Sequence, residues 1–167
     1  MIDVNMYHYV MMHKVFLPKL LSRTKRGERA ALIGVSSAYY LRYFATGMTV
    51  YSGTKGLATC ISRGLKQEFD DIGDKALPDG SKPSLIDLQC QCLSGTKTNI
   101  VQHWGMNILT PVEAVTEACL RDLGQHNIVY GTMKNEIEVK FILSFFAMNF
   151  PTFFDFAISK ASLLIPS

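Results

Sequence analysis

The eight residues AALIGVSS, 30–37, constrain the fold more than any other stretch of this chain. They form an unbroken apolar run, with charge at Arg29 on one side and two serines closing the other. Such a run suits a strand covered on both faces, the condition of a parallel strand inside a layered α/β sheet. Segments of helical period flank it. Residues 6–21 place Val10, Met11, Val15, Phe16 and Leu20 near that spacing, and the polar run 22–28 then reads as a solvated loop. Residues 51–69 place Tyr51, Leu57, Ala58, Ile61, Leu65 and Phe69 at helical spacing over about five turns.

The alternation continues downstream. DDIGDKALPDGSKPS reads as a surface excursion, and SLIDLQCQCLS alternates Ile86, Leu88, Cys90 and Cys92 against Asp87, Gln89 and Gln91, the period of a strand. TPVEAVTEACLRDLG predicts a helix with Thr110 as N-cap, Pro111 at the first helical position, Glu113 completing a capping box and Gly124 at the end. NIVYGT predicts a short third strand. Helices alternating with strands define an α/β fold, a doubly wound parallel sheet with helices on both faces. Its ligand site is expected outside the carboxyl ends of the strands.

With 167 residues, 48% of them hydrophobic and 19% charged, the chain is long enough for one globular domain. The formal charge of +3 is dispersed, so no nucleic acid is expected as a partner. Cys60, Cys90, Cys92 and Cys119 hold no Cys-x-x-Cys pair and read as buried free thiols. His8, His13, His103 and His126 lack metal-ligand spacing, and no metal is expected. The start of the chain shows no pattern of a signal peptide.

Chemistry concentrates in TVYSGTKG. Tyr51 and Lys55 are four residues apart, which on a helix returns both to one face. A free tyrosine titrates near about pH 10, so it needs a neighbouring cation to act as an acid or base at neutral pH. Lys55 would be that cation, with a serine at the end of the preceding strand holding a carbonyl oxygen beside the phenol. The alternative is a core tyrosine and a surface lysine that only share a helix face.

The stretch LIGVSSAYYLRYFATGMTVYSGTK resembles the short-chain dehydrogenase/reductase family, whose pattern is a strand ending in serine followed by a Tyr-x-x-x-Lys helix. YSGTKG followed by ISRGLKQEF is most similar to the branch of 17-beta-hydroxysteroid dehydrogenases and very-long-chain 3-oxoacyl-CoA reductases. The resemblance implies Tyr51 as general acid-base and Lys55 as the residue that lowers its pKa and holds the nicotinamide ribose. It implies Ser37, with Ser36 as the alternative, as the serine on the substrate oxygen. It further implies Asn5 as the asparagine of a proton relay and Thr98 as the threonine on the nicotinamide carboxamide. NADP is the implied cofactor, and a lipid-like carbonyl compound the implied substrate.

The sequence departs from the family in three places, the first a loop between VSS and Tyr51 one residue longer than the usual pattern. Leu93 and Ser94 stand where a Pro-Gly pair is usual, and no Gly-x-x-x-Gly-x-Gly turn precedes Asn5. The expectation is therefore the C-terminal half of a Rossmann-like sheet, a fragment or truncated form, whose first strand exposes an edge. Residues 1–140 form the partial catalytic domain and residues 141–167 an apolar tail. Within that tail Pro151 and Asp155 interrupt a Phe-rich run, leaving a packed helix pair, an interfacial segment or a span as readings. Two functions follow: a carbonyl reductase at the endoplasmic reticulum membrane or in the cytoplasm, or a non-catalytic remnant. The remnant would associate with a full-length relative through the helices at 6–21 and 51–69.

Overall fold

A computed structural model of the chain describes residues 1–41, 47–73, 86–99 and 109–140. The apolar tail 141–167 and Trp104 lie outside the described residues. A π-type turn, Asp3–Tyr7, leads into α1, His8–Thr24, which keeps Pro18 in its interior at the loss of one backbone hydrogen bond. The polar run expected to be loop from residue 22 is helical through Thr24. Glu28 then gathers Arg23 at 3.0 Å and Arg26 at 2.8 Å at the exposed corner before β1, Ala30–Ser37.

A 3₁₀ turn, Ala38–Leu41, follows β1, and α2 runs Thr49–Gly73, longer at both ends than the apolar period indicates. Then come β2, Ile86–Leu93; β3, Thr96–Lys97; β4, Thr110–Pro111; α3, Val112–Arg121; β5, Ile128–Val129; and α4, Met133–Ile137. The main sheet has the order β1-β2-β5, all parallel, in a register running from Ala30 opposite Ile86 to Ser37 opposite Leu93.

Strand alternation divides the core in two. Ala30, Ile86 and Leu88 pack with Phe69 against Leu17, Leu20, Leu21 and Leu65 of α1 and α2. On the other face of β2, Leu93 packs against Val115, Cys119 and Val129, and the Gln89 amide donates to the Cys119 carbonyl at 2.9 Å. Helices therefore cover both faces of β2, as a doubly wound sheet requires. β1 is covered on one face only by described residues, so Ile33 and Val35 stay 37% and 50% exposed on a strand that forms the edge of the sheet.

Three expectations are corrected. Thr110 is not the cap of α3 and Pro111 is not its first helical residue: the two pair with Thr96 and Lys97 in a two-stranded ladder, and Pro111 takes the N-cap position. The Thr110 hydroxyl donates instead to Asn135 Oδ1 at 2.7 Å, so α3 starts at Val112 without a side-chain cap. Gly124 lies in the turn after α3, at φ +79°, rather than at the helix end. Cys60 is exposed, while Cys90, Cys92 and Cys119 are buried free thiols.

The exposed Gly64 on α2 has nothing within 4 Å of where a Cβ would stand. Gly64→Ala should stabilise the chain by about 1 kcal/mol, through helix propensity and a less mobile unfolded state. A melting temperature unchanged or lowered, followed by circular dichroism, would contradict a regular helix there.

Candidate active site

β1 delivers two serines to the carboxyl rim, and strand alternation sends them to opposite faces. Ser36 faces α2, where its hydroxyl donates to the Lys55 carbonyl at 2.8 Å and meets Thr59 Oγ1 at 2.8 Å. That serine locks strand to helix. Ser37 is held loosely, donating to the Leu93 carbonyl at 3.4 Å and accepting from the Tyr39 backbone N–H at 3.3 Å. Of the two hydroxyls, Ser37 has the weaker internal bonds to give up for a ligand.

α2 begins at Thr49, which puts Tyr51 and Lys55 in its first two turns on the same rim. The Lys55 ammonium stands 5.7 Å from the centroid of the Tyr51 ring and donates to the Val35 carbonyl at 3.3 Å. Burial lowers the pKa of this half-buried lysine, against a smaller upward pull from Cys90 and Cys92. Asn5 reaches the same place from the leading turn: its amide donates to Thr54 Oγ1 at 3.2 Å, and Thr54 donates to the Tyr51 carbonyl at 2.7 Å.

Tyr39 joins Ser37 to this group. The residue whose N–H bonds Ser37 also sets its ring edge-on to Tyr51, with centroids 6.0 Å apart. The structure thus links Asn5, Ser37, Tyr51 and Lys55 through Thr54 and Tyr39, two residues that sequence spacing did not single out. Thr98 is half-buried just past β3, and among the described residues no hydrogen bond ties it to Tyr51 or Lys55. Lys55 lines a cleft of about 330 Å³ between α1 and the free edge of β1, with Asn5, His8, Tyr9, Met12 and Val35.

A second polar cluster lies under the site. The Tyr9 hydroxyl reaches over Gly34 to Ser62 Oγ at 2.7 Å, and the Cys90 and Cys92 sulfurs are 3.8 Å apart. The hydrogen bond between the two free thiols lowers the pKa of Cys90 and raises that of Cys92. Burial raises the Tyr9 phenol to about 12. The folded chain therefore keeps the Tyr9 proton after the unfolded chain, with a tyrosine near about 10, has lost it. Stability should be fully present below pH 10 and fall as pH rises towards 12, and Tyr40, raised by burial and the Tyr130 hydroxyl, adds in the same direction. Urea unfolding across that range should show a shallower fall in Tyr9→Phe; an identical fall would assign the loss to other groups.

Among the described residues no three His, Cys, Asp or Glu side chains are gathered as for a metal ion, and no helix is long and apolar enough to cross a membrane. The fold is the Rossmann-like half sheet with a serine, tyrosine and lysine on its carboxyl rim. A solved structure shares this fold: a short-chain dehydrogenase from Burkholderia cenocepacia J2315, in complex with NADP, has a TM-score of 0.62 and 18% identity. The match covers 98% of this chain and 57% of that one, so the chain spans little more than half the length of its structural neighbour. No family model and no curated protein matches the sequence.

Proposed function

We propose that the chain is the catalytic half of an NADP-linked carbonyl oxidoreductase acting on a lipid-like substrate, a 3-oxoacyl-CoA or a steroid ketone. The observation that carries this reading is the Lys55 ammonium 5.7 Å from the Tyr51 ring, on a rim shared with Ser37 and Asn5. The fold held in common with an NADP-bound dehydrogenase supports it. The substrate class and the branch rest on the sequence resemblance alone, as do the endoplasmic reticulum or cytoplasmic location and association through α1 and α2.

In this mechanism Ser37 holds the carbonyl oxygen, the Tyr51 phenol gives it a proton, and Lys55 favours the phenolate that remains. Asn5 positions a water in the path that returns the proton. NADPH, when bound, supplies the hydride. Lys55, whose one hydrogen bond among the described residues, to Val35, leaves ammonium protons to give, fits the nicotinamide ribose, and Thr98 would hold the carboxamide. The pyrophosphate end has no fit among the described residues: the leading helix carries Asp3 in its first turn, which repels an anion.

That mismatch, with the uncovered edge of β1, favours a second reading in which the chain by itself is a non-catalytic remnant. Titration with NADPH, read by energy transfer from Trp104, separates the two. The isolated chain should bind weakly or not at all, and micromolar binding would show that these residues suffice.

A further inference from the structure

One flank of α2 borders a second cavity, of about 500 Å³, to which Tyr51 and Lys55 do not contribute. It is lined by Tyr40, Ser52, Gly53, Gly56, Cys60 and Arg63 together with two threonines. Its volume is that of a small-ligand site. Two observations set it apart from a packing groove. Ser52 is 5% exposed, and among the described residues its hydroxyl has no hydrogen-bond partner, a state that buried hydroxyls rarely keep. Gly53 and Gly56 meet nothing within 4 Å of a built Cβ, so no described part of the chain itself uses the room these glycines leave.

The spacing along α2 defines what would fit. Ser52 and Arg63 are separated by roughly 16 Å of helix rise, shortened by the reach of the arginine arm. Between them lie glycine backbone and Cys60. Arg63 has no carboxylate within ion-pair distance among the described residues. We infer that this cavity binds an extended amphiphile, with an anionic head on Arg63, a slender apolar body over Gly53 and Gly56, and a hydrogen-bonding oxygen on Ser52. The site lies on a different face of α2 from Tyr51 and Lys55 and holds whether or not the chain is a reductase.

Calorimetric titration of the 167-residue chain with 12-hydroxydodecanoate tests it, with dodecanoate and 1,12-dodecanediol as probes that each lack one end. The hydroxy acid should bind about tenfold or more tighter than either. Ser52→Ala should reduce its affinity to that of dodecanoate, and Arg63→Gln to that of the diol. Gly56→Leu should abolish binding while the helical circular dichroism signal is retained, since a Cβ at residue 56 meets nothing within 4 Å and the longer side chain would occupy the cavity. Equal affinity for all three probes, absence of binding, or unchanged binding in Gly56→Leu would overturn the site.

Discussion

Tyr51→Phe, made in a form of the protein joined to a dinucleotide-binding half, should lower carbonyl reduction by roughly 10²–10⁴-fold while leaving NADPH affinity nearly unchanged. The substitution removes one oxygen and keeps the ring. The ring is held by the edge-on contact with Tyr39 at 6.0 Å and by Lys55 at 5.7 Å, and neither contact needs the hydroxyl. On the proposed reading, what disappears is the proton donor to the substrate oxygen. Steady-state kinetics with a 3-oxoacyl-CoA, paired with a fluorescence titration of NADPH, separates chemistry from binding. Substantial residual turnover would assign the proton to another acid, and a parallel loss of cofactor affinity would make Tyr51 a binding residue.

Gly34→Ala should destabilise the fold by about 1–3 kcal/mol, the range for overpacking. A Cβ at residue 34 would run into the Tyr9 hydroxyl oxygen and stand 2.8 Å from the ring carbon bearing it. The ring cannot simply swing away, because its hydroxyl is bonded to Ser62 and its face lies 4.4 Å from the His13 ring. Displacing Tyr9 would also break its hydrogen bond to Ser62. Urea unfolding measures the loss, and Tyr9→Ala combined with Gly34→Ala should cost less than the sum of the single changes. Full additivity would show that the two residues do not compete for the same space.

These two sites were unequally legible in the sequence. Tyr51 and Lys55 could be read together because helical spacing is a local property, fixed by 3.6 residues per turn once the segment is helical. Gly34 gave no such signal: a glycine within AALIGVSS is only a weak point in a strand until Tyr9, 25 positions earlier in the sequence, is seen to cross it. Thr54 and Tyr39 were equally silent, since each matters through a partner brought in by folding. The Thr110 cap failed for a related reason. Its local pattern was that of a helix start, but Asn135 offered its hydroxyl a buried partner, and Thr96 offered its backbone a ladder.

By itself the sequence determined the α/β class, the parallel strands at 30–37 and within 84–94, the long helix carrying Tyr51 and Lys55, and the placing of both on the carboxyl rim. Each follows from the apolar period of a short segment, which depends on burial of one face and not on which element does the burying. Tertiary structure decided which serine turns towards α2, how Asn5 and Ser37 are tied to Tyr51, which thiols are buried, and that a cavity lies over Gly53 and Gly56. Those outcomes depend on contacts between residues far apart in the chain, and the energies that select among them exist only once the elements have packed.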